Sequence, residues 1–182
     1  MAKPSKTCTS LTLSSSASAT SLSKDLPPQY VAATRDFLID TGIYSSLSDK
    51  YSSKDSYSHL IRHLLSTDIV QRGHVSCVFT VLPFIINIFN GLFGGAIGGI
   101  AERVAIACAR TVVGQEKELF LGELSISYLS AARQNDVVVV DGSVVRSGRN
   151  LSAVVIEFRI KKSLKLLYTA DVTLYHLPIA KL

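Results

Sequence analysis

Apolar residues recur at helical spacing in three segments of the chain and at strand spacing through most of the rest. Pro27 and Pro28 open PPQYVAATRDFLIDTG, in which Val31, Phe37 and Leu38 predict a short helix ending at Gly42. SKDSYSHLIRHLLS repeats the pattern, with Ser53 and Asp55 at its start and Leu60, Ile61, Leu64 and Leu65 on its inward face. The third segment is the longest: Ile97, Ile100, Ala101, Val104, Ala105, Cys108 and Val112 form one stripe and predict a helix from Gly94 to Val113. Before it, VSCVFTV is β-branched and alternating, which predicts a strand over Gly73 to Leu82 and a loop through Asn90.

After the long helix everything reads as strand. Phe120, Leu124, Ile126 and Tyr128 alternate with Glu123, Ser125 and Ser127; after a break at Ala131 to Asn135 comes VVVVDGSVV. Turn residues Ser147 to Asn150 lead to Val154, Ile156, Phe158 and Ile160, and a turn at Lys161 to Lys165 leads to Leu166, Tyr168, Ala170, Val172 and Leu174. Four consecutive strands joined by short turns predict an antiparallel meander. With the earlier strand they make one sheet whose apolar face needs a cover, and the long helix supplies it, giving an α+β class.

NGLFGGAIGGIAERVA puts a glycine cluster ahead of a lone carboxylate. The stretch from Gly73 to Ala101 has no Asp, Glu, Lys or Arg, and Gly94, Gly95, Gly98 and Gly99 fit a membrane dimer motif. Pro83, Asn87, Asn90 and the glycines break that stretch, so the strand, loop and helix division is preferred and no stable membrane insertion is expected. On the long helix Glu102 falls outside the apolar stripe, on a side shared with Gly95, Gly98, Gly99 and Ala109, where a backbone or a ligand can approach closely.

The chain has 182 residues, 47% of them hydrophobic, which suits one domain with a single core. A net charge of +5 fits a small anionic partner, but no block of five basic residues occurs, so no nucleic acid is expected. Cys8, Cys77 and Cys108 are odd in number and widely spaced, which predicts neither a disulfide framework nor a zinc site; Cys108 reads as a small core residue. His59 and His63 stand four apart without a third ligand and read as a solvated face, so no metal is expected. The predicted organisation is a disordered Ser/Thr-rich leader over 1–26, a helical extension over 27–72, the main domain over 73–178 and a tail over 179–182. The leader has a plastid-transit bias, whereas the terminal Ala180, Lys181 and Leu182 vary the peroxisomal SKL address, so peroxisome is the first expectation, with plastid or cytosol as alternatives.

NIFNGLFGGAIGGIAERVA resembles a family signature: an Asn, then His-Gly-Gly, then an Asp or Glu on the helix that follows. It belongs to the small hotdog-fold thioesterases, the acyl-coenzyme A thioesterase 13-like and phenylacetate-pathway (PaaI) enzymes, and ISYLSAA with VVVVDGSVVRSGRNLSAV looks like their downstream strand pair. The resemblance spans Gly73 to Leu177 and is nearest to plant members. It implies an antiparallel sheet wrapped around one long central helix, and a homodimer or homotetramer that hydrolyses acyl-coenzyme A without a cofactor, coenzyme A being part of the substrate.

By this resemblance Asn87 falls on the family's loop Asn, Gly94 and Gly95 on its glycines and Glu102 on its catalytic carboxylate. Phe93 stands in place of the usual His, and Leu121, or a neighbour given a one-residue insertion, where the human-type enzymes have a water-orienting Ser. The implied chemistry sets the thioester carbonyl against the Gly94 N–H at the helix N-terminus, with the Phe93 N–H retained as a further donor. Glu102, ~12 Å along the same helix, serves as general base or nucleophile toward the Gly94 of a second subunit. Phe93 and Leu121 then shape the acyl site, and Arg146 and Arg149, with Lys161 and Lys162 nearby, are candidates for the coenzyme A phosphates. The alternative reading is an impaired hotdog protein that binds acyl-coenzyme A or acts as an assembly module.

Overall fold

The computed structural model describes residues 27–40, 49 and 56–178. The leader over 1–26 and the terminal Ala180 to Leu182 lie outside the described residues. The chain divides into two units, Met1–Ser45 and Ser46–Leu182. In the first, α1 (Pro28–Asp40) starts on a proline, where a missing N–H breaks no helical bond, and Val31 N–H donates to the Pro27 carbonyl at 3.3 Å.

The second unit runs α2 (Ser56–Leu64), β1 (Ser66–Gln71), β2 (His74–Thr80), a 3-10 turn at Pro83–Ile85, α3 (Gly94–Arg110), β3 (Lys117–Tyr128), β4 (Val137–Ser147), β5 (Leu151–Ile160) and β6 (Leu166–Pro178). The six strands among the described residues join one antiparallel sheet in the order β1-β2-β4-β5-β6-β3. The α+β class with one long helix on an antiparallel sheet is as the sequence predicts.

Two expectations about the sheet change. The sheet begins at Ser66, not Gly73, because STDIVQ pairs with β2 as an edge strand. Every residue of β1 is exposed, so it carries no inward-outward alternation to read. Also, the last four strands are not a simple meander: β3 skips β4 and pairs with β6. Residues 129–136 carry the chain past the start of α3, where Leu92 N–H donates to the Ala132 carbonyl and Val81 N–H to that of Asp136, both at 2.9 Å. That crossing seats β4 beside β2 and leaves β3 as the far edge.

The core lies between α3 and the run of β2, β4, β5 and β6. Ile97, Ile100, Val104 and Cys108 on the helix and Val138, Val140, Ile156 and Phe158 on the sheet are at most 1% exposed. Truncating any of the large ones to Ala would cost about 2–5 kcal/mol. Gly142 on β4 is what lets the helix lie this close: a Cβ there would meet Cys108 Sγ at 2.5 Å and Ile156 at 2.9 Å. Ile61 and Leu64 of α2 join the same core.

Candidate functional site

The loop before α3 is closed on itself. Asn87 Oδ1 accepts the N–H groups of Phe89 and Gly91, each at 3.0 Å, while Asn87 N–H donates to the Gly91 carbonyl at 2.8 Å. Asn90 takes the left-handed conformation (φ 59°) that the turn requires and that an Asn side chain tolerates. Bridges from Ile86 to Leu92 and from Gly91 to Arg133 complete the hairpin. Asn87 thus builds the loop with its oxygen, and its Nδ2 donates to no acceptor among the described residues.

The loop delivers the chain into α3 at Phe93, which offers no side-chain cap. Phe93 N–H donates to the Ile85 carbonyl at 2.8 Å. The expectation that this N–H serves as a free donor is therefore corrected: it is spent fixing the loop. Its carbonyl accepts from Ala96 and Ile97 at 3.0 and 3.1 Å. Gly94 N–H and Gly95 N–H have no acceptor among the described residues, and they carry the positive end of the helix dipole. The Phe93 ring folds back over Gly95, coming within 2.5 Å of where a Cβ would be, so a larger residue there would displace the ring.

Tyr128, at the end of β3, stands on the other side of this helix start. Its hydroxyl is 3.3 Å from the position of a Gly94 Cβ and has no partner among the described residues. The ring is held edge-on by Tyr168 (centroids 5.7 Å apart, 68° between planes), and Tyr168 in turn accepts the Ala132 N–H at 2.9 Å and packs edge-on against Phe158. Burial pushes the Tyr168 hydroxyl above its usual value, so it stays protonated. Asn87, Gly91, Tyr128 and Tyr168 line a cavity of about 370 Å³ beside the helix start.

Glu102 lies on the same helix as Gly94 and two turns along, partly buried. At about 1.5 Å per residue the two backbones are ~12 Å apart, too far for one chain to bring both to one carbonyl. The small-residue face on which Glu102 was placed is divided: Ala109 is in the core, and a Cβ on Gly98 would touch Leu124 and Ile126 of β3 at 3.8 Å. Tyr57 of α2 covers the rest, donating its hydroxyl to the Gly95 carbonyl at 2.8 Å and lying 2.6 Å from a Gly99 Cβ. Burial first, then the negative charge of Glu102, push the Tyr57 hydroxyl above its usual value and keep it a donor.

The other sequence candidates fall elsewhere. Leu121 sits on the edge strand β3, next to a bulge between Leu121 and Glu123. α3 and β3 run side by side in opposite directions, Gly94 lying by Tyr128 and Gly98 by Leu124 and Ile126, so Leu121 lies further along the strand, away from Gly94. Arg146 and Arg149 are exposed at the opposite end of the sheet: the Arg149 carbonyl accepts from Lys117 Nζ at 2.7 Å, and the Lys117 carbonyl from Arg110 at 2.6 Å, beside the helix C-terminus. Lys161 and Lys162 stand at the Gly94 end, Lys161 N–H donating to the Val137 carbonyl at 2.8 Å. His59 and His63 are exposed with ring centroids 6.3 Å apart, and among the described residues no group of three or more His, Cys, Asp or Glu is placed to hold a metal ion. Burial pushes the Cys108 thiol up to about 11 and keeps it an inert core group. No described helix is long and apolar enough to cross a membrane.

Two residues at the site were missed in the sequence. Tyr128 shares the alternation of Leu124 and Ile126, which marks it as facing the long helix, and Tyr57 lies one turn before Ile61 on the α2 stripe.

Residues 89–166 match the model of the thioesterase superfamily. No curated protein matches the chain. Among solved structures it is similar to a Haemophilus influenzae thioesterase (TM-score 0.61, 18% identity, 67% of this chain and 85% of that one). It is similar as well to a hypothetical thioesterase of Streptococcus pneumoniae solved with coenzyme A (0.60, 16%, 69% and 98%). A third is the E. coli PaaI protein of the phenylacetic acid degradation operon (0.60, 14%, 65% and 84%).

Proposed function

We propose that this domain, which has the fold of the solved thioesterases it is similar to and matches the thioesterase superfamily model over residues 89–166, hydrolyses an acyl-coenzyme A thioester to the free acid and coenzyme A. The observation that carries the reading is the open start of α3, where the Gly94 and Gly95 N–H groups have no acceptor among the described residues. A thioester carbonyl oxygen set against them gains stabilisation as it becomes an oxyanion, which lowers the barrier and not merely the ground state. Tyr128 supplies the side-chain donor that Phe93 lacks, since its free hydroxyl is next to Gly94.

Glu102 comes to that carbonyl from a second copy whose α3 runs antiparallel. As general base it takes a proton from water while the water oxygen bonds to the carbonyl carbon; the C–S bond then breaks and the proton passes to the departing thiolate. As nucleophile its carboxylate oxygen bonds to the carbonyl carbon and the C–S bond breaks, giving a mixed anhydride and coenzyme A thiolate; water then opens the anhydride, releasing the acid, restoring the Glu102 carboxylate and supplying the proton the thiolate takes up. The exposed Phe84, Ile88, Phe89 and Phe93 around the helix start, and the free edge of β3, favour a homodimer or homotetramer that covers them. If Glu102 of each copy lies level with Gly94 of the other, each helix C-terminus overhangs its partner's start by ~12 Å. That overhang brings Arg146 and Arg149 of the second copy to the entrance, where guanidinium groups suit the coenzyme A phosphates.

The neighbour solved with coenzyme A supports the ligand class. The second reading, a hotdog protein that binds acyl-coenzyme A without turnover, is favoured by the Phe93 ring lying over Gly95. Mixing tests the shared site: Glu102→Ala and Gly94→Pro chains, each inactive alone, should regain about a quarter of wild-type thiol release when refolded together, because half the dimers are mixed and carry one intact site. No regain would place the site within one chain or remove it. Acyl-coenzyme A that binds without thiol release would give the second reading. Peroxisomal location is proposed from the terminal Ala180 to Leu182; a fluorescent protein fused at the N-terminus should give a punctate signal, and a diffuse one would point to the cytosol.

A further inference from the structure

A second cavity, of about 340 Å³, lies away from the helix start, between α2, the β1–β2 hairpin and the outer side of α3. Its lining is mainly apolar, with Leu65, Val75 and Val104 among its walls and the buried Cys77 beneath. Burial, above all, pushes the Cys77 thiol above its usual value, so that wall is uncharged at neutral pH. Arg62 from α2 and Arg103 from α3 stand at the same cavity, both exposed.

Neither arginine has an acidic partner among the described residues, where the ion pairs are His74 with Asp141 and Arg159 with Glu157. Two guanidinium groups from different helices at one apolar cavity offer positive charge and forked donors to an anion. A guanidinium pair suits a carboxylate by its forked donors, and apolar walls suit a hydrocarbon chain. We propose that this cavity binds an amphiphilic carboxylate, a fatty acid whose head group is held between Arg62 and Arg103 and whose chain lies along Leu65, Val75 and Val104. The site shares no residue with the start of α3, so it stands whether or not the chain is a thioesterase.

Titration calorimetry of the full chain with octanoate, decanoate and dodecanoate, below their micelle concentrations, tests this. Decanoate should bind, decanol of equal length should bind about tenfold more weakly, and Arg62→Gln with Arg103→Gln should lose about as much per arginine. Arg62→Lys with Arg103→Lys should recover part of the loss. Ala107→Leu, which fills the cavity from an exposed helical position and leaves both arginines in place, should weaken the longer chains most. Both arginines are exposed, so the glutamine variants should keep the wild-type melting temperature, and thiol release from acyl-coenzyme A should be unchanged if that activity exists. Equal binding of decanoate and decanol would overturn the proposal. So would decanoate binding that survives the double glutamine variant and is displaced by acyl-coenzyme A, because the acid would then occupy the start of α3. Absence of any binding would also overturn it.

Discussion

The two ends of α3 are built in opposite ways. At the C-terminus the Cys108 carbonyl accepts from both the N–H and the hydroxyl of Thr111, at 3.0 and 2.6 Å, and the Ala109 carbonyl accepts from Val112 and Val113 at 3.0 and 2.8 Å. Thr111 Oγ1 also accepts the Gly73 N–H at 2.7 Å, and Arg110 places its positive charge in the last turn while tying down the Lys117 carbonyl. At the N-terminus there is no capping side chain, the Phe93 N–H is spent on Ile85, and two glycine N–H groups are open. The first N–H groups of any α-helix lack an intrahelical partner, and here they are left to water or to a ligand, which is the use the proposed site makes of them.

Substitutions at each end should separate stability from activity. Gly94→Pro should have the largest effect. Proline is tolerated at the first helical position, and Phe93 already has the extended conformation (φ −67°, ψ 130°) that a following proline demands. The change deletes one N–H, so kcat should fall about 10²- to 10³-fold while the urea midpoint moves little; an equal loss in both would mean the open end is merely structural. Thr111→Val at the other end should do the reverse, costing about 2 kcal/mol in urea unfolding with kcat kept within about twofold, since the Gly73 N–H and the Cys108 carbonyl each lose a partner. Tyr128→Phe should lower kcat about tenfold with no change in melting temperature, because the ring contacts with Tyr168 remain. Arg110→Gln should be the mildest, about 0.5–1 kcal/mol of stability, most of it visible only at low salt.

The fold was legible because its signals were periodic. The α3 stripe from Ile97 to Cys108 and the alternation from Val154 to Phe158 name both faces of the core, and those residues are buried as read, with Ile160 half-buried at the end of its strand. Strand order was not legible: alternation tells which face a residue takes but not which neighbour it pairs with, and β3 reaches β6 only because residues 129–136 detour past the helix start. β1 left no trace, since both of its faces are exposed.

At the site, Asn87, Phe93, Gly94 and Gly95 are brought together by a local hairpin, and local sequence carries that information. Tyr57 and Tyr128 reach the same helix from 38 and 34 positions away in the chain, counted to Gly95 and Gly94; periodicity gives the face each one takes but not the point on the helix that it meets. The spent Phe93 N–H depends on the 3-10 turn at Pro83–Ile85, a detail of backbone geometry that hydrophobic pattern does not encode.

Thiol release by the purified protein from a panel of aliphatic and aromatic acyl-coenzyme A thioesters, with Glu102→Ala run beside it, tests the central claim most directly. The account predicts release from at least one thioester and a loss of about 10²-fold or more in Glu102→Ala. No release from any of them, or release that Glu102→Ala leaves unchanged, would contradict it.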